Sequence, residues 1–291
     1  MQVGDIIARK SYNKDITFKV VDLQKTETGI VCILKGLTLR ILADSLVEDL
    51  ELVSKDKANE IDLVFDRKIT ASIKKVLNSR LNANKKYRYP LVTKHTNENI
   101  KAGGFGRPGK VLHIDADSQY MNACLKVYKQ LSIEAHGFLI AERDQRRSVV
   151  ELIKNVRPDI VVITGHDGIL KGTKDFLDLA NYKNSMYFVD TVAEIRAYHP
   201  NYDDLVIFAG ACQSCYEAIL DAGANFASSP NRVLIHCFDP VFVCEKIAYT
   251  SFEKIVPIQE VIENTITGLK GIGGLQTRGK YREGFPKSLY S

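Results

Sequence analysis

The sequence predicts an α/β protein: a doubly wound, mostly parallel sheet with helices on both faces, preceded by a small SH3-like β-barrel. Two observations carry this. After Gly109, the short apolar runs "KVLHIDAD", "AHGFLIAE", "DIVVITG" and "LVIFAG" are interleaved with the helix-like stretches "DQRRSVVELIKNVRP", "SMYFVDTVAEIRAYH" and "SCYEAILDAG". Such runs mark parallel strands covered on both faces by crossover helices. Before residue 53 the runs "DIIARKS", "ITFKVVDLQ", "TGIVCILKG" and "TLRILAD" are short, β-rich and separated by turn residues, as in a small barrel.

Three segments follow. Residues 1–52 form the barrel, 53–108 a basic and partly helical linker, and 109–291 the α/β domain. Charge divides the same way: 7 Lys/Arg against 8 Asp/Glu in 1–52, 13 against 5 in 53–108, and 20 against 22 in 109–291. Within the linker, "NEIDLVFDRKITASIKKVLNSRLNANKKYRYP" is compatible with one amphipathic helix, ended by the glycine-rich "KAGGFGRPG". A solvated charged helix is the expectation there, because no nucleic-acid-reading motif accompanies the charge. Near the C-terminus "GLKGIGGLQTRGKYREG" lacks the strand, helix and lysine spacing of a phosphate loop and reads as an irregular tail.

Composition narrows the class. The chain has 291 residues, 45% of them hydrophobic, which suits a packed globular protein. No run nears the ~20 apolar residues that span a bilayer, and "MQVGDIIARKSYNKD" lacks a signal-peptide core. A cytoplasmic, non-membrane protein is expected. Its six cysteines do not form paired CxxC units with metal-ligand spacing, so free thiols and no metal or other cofactor are expected.

Open α/β sheets bind ligands at the carboxyl ends of their strands. "HIDAD" puts Asp115 and Asp117 at one such end, "VVITGHDG" puts His166, Asp167 and Gly168 at a second, and "VIFAGAC" puts Cys212 at a third. A histidine and a cysteine on two strand ends can face one crevice, the arrangement needed for thiol chemistry. An adjacent imidazole and a helix N-terminus both favour the thiolate. The backbone N–H groups of Gly168 and Cys212 are candidates for an oxyanion site. Two other classes compete: a CxxC thiol-disulfide oxidoreductase using Cys212 and Cys215, and a non-catalytic α/β scaffold with a nucleic-acid-binding barrel. His113 and His236 read as packed core.

"DIVVITGHDG" followed by "LVIFAGACQS" resembles the cysteine peptidases built on the caspase, gingipain, clostripain and legumain fold, differing by Asp167 between His166 and Gly168. The longer strings "VGDIIARKSY", "PGKVLHID", "AGANFASSPNRV" and "GGLQTRG" are similar to sporulation-specific cysteine peptidases of endospore-forming bacteria, and this resemblance reaches both ends of the chain. It implies a caspase-like fold and an endopeptidase with a His166/Cys212 dyad. It also implies protein substrates of the spore coat or cortex, cleavage after Arg, and action in the mother cell and on the forming spore. In related folds a charged residue just after the first strand reads the side chain before the scissile bond. Asp115 and Asp117 hold that place, Asp117 being nearer the crevice, though it also suits the cap of the next helix. An Arg-specific domain beside a basic linker suggests self-cleavage or autoinhibitory docking there, at Arg80 or Arg88, since Arg107 precedes Pro108. The barrel is expected to dock substrate or the spore surface.

Overall fold

The computed structural model describes residues 1–27, 29–37, 39–54, 56, 60, 67, 69–80 and 105–288. At the N-terminus, β1 (Ile6–Arg9), β2 (Thr17–Thr26), β3 (Gly29–Gly36), β4 (Leu42–Leu46) and β5 (Leu50–Leu52) form an antiparallel sheet in the order β4-β3-β2-β1-β5. Its alternating apolar positions supply a core of Ile7, Phe18, Val20, Cys32, Leu34 and Leu50.

The run "TLRILAD" does not begin its strand until Leu42. Leu39, Arg40 and Ile41 before it belong to the tip of the β3–β4 hairpin, where Gly36 N–H donates to Ile41 O at 2.9 Å. A Cβ on Gly36 would lie 2.5 Å from Leu39 O, so this tight tip requires glycine. The tip leaves its own sheet and Leu39 forms an antiparallel bridge with His236.

The larger sheet is mixed. Its strands are β7 (Val111–Asp115), β8 (Ala135–Leu139), β9 (Ile160–Thr164), β10 (Val206–Ala209), β11 (Phe226–Ser228) and β13 (Ile272–Gly274), in the order β13-β11-β10-β9-β7-β8. The first five run parallel and β13 runs antiparallel to β11. Because successive strand residues point to opposite faces, each apolar run feeds two cores. Val111, Val162 and Phe208 pack with α2 (Ser118–Gln130), α6 (Asp239–Ala248) and a helix at 69–80, here α1. Leu112, Ile163 and Ile207 pack with α3 (Glu142–Val156), α4 (Ser185–Tyr198) and α5 (Tyr216–Asp221). Each such fully buried side chain contributes roughly 1.5–3 kcal/mol.

Two expectations need correction. The stretch called an irregular tail contains β13, which extends the main sheet, and two short strands. One of these, β14 (Thr277–Arg278), pairs with β12 (Ile255–Val256); the other, β15 (Arg282–Gly284), pairs with β6 (Phe105–Arg107). Strands of two or three residues leave too little periodicity to be read locally. Helix α1, assigned to a linker, is not simply solvated: Ile69, Ile73 and Val76 are buried in the main core. Those three lie at i, i+4 and i+7 and so share one face. Apart from residues 60 and 67, the rest of the expected linker helix, including Arg88, lies outside the described residues. No helix among the described residues is long and apolar enough to cross a membrane.

Ile73→Ala should lower unfolding stability by about 2 kcal/mol or more in urea titration, the cost of truncating a core aliphatic. A change within about 0.5 kcal/mol would mean that α1 is a solvated surface helix.

Candidate active site

Three adjacent strands end at one level. Asp115 pairs with Thr164 and Ile163 with Ala209, so Asp115, Thr164 and Gly210 occupy one rung. Asp117, His166 and Cys212 each lie two residues beyond it. His166 follows β9, the middle of the three strands, with Asp117 following β7 on one side and Cys212 following β10 on the other.

The His166 loop is held at both ends of its peptide. Glu142, the first residue of α3, accepts His166 N–H at 2.7 Å and lies 3.7 Å from Nδ1, while Asn184 Nδ2 donates to His166 O at 2.8 Å. Burial opposes ionisation of Glu142, but its contacts with the His166 ring and main chain prevail and hold its carboxyl below the usual range. An ionised Glu142 thus holds the His166 main chain and lies beside its imidazole. His166 Nε2 is 3.4 Å from Asp117 Oδ2 and makes no hydrogen bond among the described residues.

Asp167 locks three loops together. Its Oδ1 accepts from the N–H groups of Gly168 and Asn184, both at 2.8 Å; its Oδ2 accepts from the hydroxyls of Ser185 at 2.5 Å and Ser214 at 2.8 Å. Ser185 in turn accepts Cys215 N–H, and Ser214 accepts Ala211 N–H. The Asp inserted between His166 and Gly168 thereby ties the histidine loop to the cysteine loop. Gly168 N–H, a candidate oxyanion donor, is engaged by this carboxylate.

Cys212 occupies a turn fixed by its surroundings. Gly210 adopts φ +106°, and a Cβ there would lie 2.5 Å from Ser228 Oγ, so glycine is required on both counts. The helix expected from Ser214 starts later: α5 begins at Tyr216 and Cys215 is its N-cap. The Cys212 thiol is fully buried, accepts Ile235 N–H at 3.2 Å and lies 3.7 Å from Ile235 O. Burial pushes it up to about 12, against the opposing pull of the Ile235 and Arg40 main chains and the Arg40 charge. In this state it is a neutral thiol, and no hydrogen bond joins it to His166 among the described residues.

Both candidate pocket carboxylates are occupied by cations from the N-terminal sheet. Arg40 Nη2 lies 2.5 Å from Asp115 Oδ2, with both side chains fully buried, and Lys35 Nζ lies 2.6 Å from Asp117 Oδ1. Asp115 also accepts the Thr164 hydroxyl and Asp117 N–H, both at 2.9 Å. Burial alone would raise its pKa, yet the Arg40 charge and the bonds to His113 and Arg40 hold it well below the carboxylate range. Asp117 is the N-cap of α2, accepting from Gln119 and Tyr120 N–H, as its alternative assignment expected. Tyr120 sits beneath both cations, its ring 4.6 Å from Lys35 Nζ and 5.0 Å from the Arg40 guanidinium.

Comparison with known proteins decides the family. The family described as "YabG peptidase U57" matches residues 2–286. The sporulation-specific protease YabG of Bacillus subtilis (strain 168) is 40% identical over 286 residues, covering 98% of each chain. The chain belongs to the YabG peptidase family. As a YabG-family member it is a hydrolase, a cysteine endopeptidase of sporulation.

Sequence reasoning about this YabG-family chain missed Glu142, Tyr120 and Arg40. Glu142 had a usable signal, an acidic residue opening a helix straight after a strand. Tyr120 and Arg40 had none, since each acts through partners about 80 positions away. Of the proposed self-cleavage residues, Arg80 is bound: it pairs with Glu245 at 2.7 Å, donates to Leu131 O and stacks on Tyr249. Among the described residues no group of His, Cys, Asp or Glu is arranged to hold a metal ion. His113 is fully buried, 2.9 Å from the Thr164 hydroxyl, and belongs to the packed interior.

A depressed folded-state pKa means that the stability Asp115 supplies is present above its unfolded pKa near ~3.9 and is lost as pH falls. Asp115→Asn should cost about 3–5 kcal/mol at pH 7, because it strands the buried Arg40. It should also flatten the fall in the wild-type urea midpoint below about pH 4. A steep acid-side fall retained in the variant would show that other carboxylates set it.

Proposed function

We propose that cleavage is carried out by Cys212 as nucleophile and His166 as proton carrier. The observation that carries this is that three adjacent strands end on one rung and that Asp117, His166 and Cys212 each follow that rung by two residues in the chain. Cys212 Sγ attacks the scissile carbonyl, forming a thioester as the peptide C–N bond breaks. His166 takes the thiol proton and passes it to the leaving amine; water then hydrolyses the thioester with His166 as base. Glu142 keeps the imidazole oriented. Cys212 N–H is the first candidate to hold the oxyanion, and Gly168 N–H can join it only when freed from Asp167 Oδ1.

Arg preference belongs to the same reading. Asp115 is the better specificity carboxylate than Asp117, because it already receives a guanidinium in a buried setting where Asp117 caps α2 and binds Lys35. Burial strengthens a charge-assisted contact of this kind. The proposed substrates are spore coat and cortex-related proteins processed in the mother cell. The fold that accompanies this reading is a caspase-like doubly wound domain behind an SH3-like barrel. A solved structure whose His and Cys loops fell on strands other than those of a caspase core would refute it.

Digestion of a spore-coat extract by wild type and by Cys212→Ala tests the assignment. Wild type should generate new N-termini preceded by Arg, and Cys212→Ala should generate none while still unfolding in one cooperative urea transition. Cleavage by the variant would exclude Cys212 as nucleophile, and cuts without an Arg preference would exclude the Asp115 pocket.

A further inference from the structure

The β3–β4 hairpin tip lies on the candidate site in the manner of a bound peptide. Leu39 bridges antiparallel to His236, and Arg40 N–H donates to Ile235 O at 3.4 Å. Ile235 is also the residue whose N–H holds the Cys212 sulfur. An extended chain paired through its backbone, with one side chain in a deep pocket, is how a peptide is bound by strand addition. The deep side chain here is Arg40, on Asp115.

We propose that the 36–41 tip is an internal substrate mimic: Arg40 fills the specificity pocket in cis, and a substrate arginine must displace it before Cys212 can act. This deepens the Cys212/Asp115 reading and rests on it. It also moves the docked arginine from the linker, where sequence reasoning sought it, to the N-terminal sheet.

Three observations favour a displaceable occupant over a fixed structural ion pair. Arg40 Nε and Nη1 are buried without hydrogen bonds among the described residues, so the guanidinium, with five donors, is only partly satisfied. The tip is held by polar contacts that can exchange: the Tyr120 hydroxyl lies 2.7 Å from Gly36 O and 2.8 Å from Leu39 O, and Lys35 pairs with Asp117. A cavity of about 350 Å³ lined by Lys35, Leu37, Gln119, Ala123 and Phe238 remains between the hairpin and α2, and the hairpin has a hydrophobic core of its own. The tip can therefore leave without unfolding the sheet that carries it. While it stays, the Arg40 main chain lies against the fully buried Cys212 thiol, and Lys35 at the end of β3 pairs with the carboxylate facing His166.

The test compares wild type with Arg40→Gln on a fluorogenic peptide cleaved after Arg, and measures Cys212 alkylation by iodoacetamide with the site mapped by mass spectrometry. Arg40→Gln should raise kcat/KM roughly tenfold or more, because apparent affinity scales with the fraction of open sites, and should speed alkylation of Cys212. A folded variant with neither increase overturns the proposal. If Arg40→Gln does not fold, the peptide LKGLTLRIL, residues 34–42, decides. Competitive inhibition of wild type that disappears with its Arg40→Ala counterpart supports the mimic, and no inhibition overturns it. Failure of the peptidase assignment is distinguishable: both proteins would leave the fluorogenic peptide uncut, while alkylation would still report whether Arg40 covers Cys212.

Discussion

The buried pair between Arg40 and Asp115 is the constraint on which the rest of the site depends. Two charges removed from water are tolerated only when each has the other, and taking one away costs about 3–5 kcal/mol. The pair thus decides where the hairpin tip sits, and the tip decides what surrounds Cys212. With the tip in place the thiol is buried and neutral, facing the Ile235 backbone instead of His166. The same contact that seats the hairpin tip keeps the proposed nucleophile out of use.

Beneath that cover the machinery is largely assembled. The parallel register brings three strand ends to one level, Glu142 holds the His166 peptide, and Asp167 gathers four donors that bind the histidine loop, the start of α4 and the cysteine loop into one unit. A carboxylate with all its acceptor positions used makes a rigid junction, and losing it would leave several buried donors unpaired at about 1–3 kcal/mol each. Opening therefore requires movement of the hairpin and of the Cys212 side chain more than reconstruction of the loops.

The parts legible in the sequence were those with local signatures. Apolar runs of four or five residues between helices gave away β7, β9 and β10, and the rule that ligands gather at carboxyl strand ends picked out Asp115, Asp117, His166 and Cys212. The strands within 272–284 were too short to show a period. Arg40 looked like one more cation in a β-rich stretch; its meaning comes from Asp115, 75 positions away, and no spacing encodes that. The helix expected from Ser214 begins only at Tyr216, because a turn through Ser214 and Cys215 comes first, held by Asp167 and Ser185. That turn is a tertiary product of hydrogen bonds from other loops.

Competition between a substrate arginine and Arg40 for Asp115 can be followed by hydrogen exchange at the hairpin tip. In the Cys212→Ala protein, saturating arginyl peptide should deprotect the Arg40 and Ile41 amides, and the same peptide with Ala in place of Arg should not. Unchanged protection of those amides, with a peptide that wild type demonstrably cleaves, would mean that the two arginines do not compete.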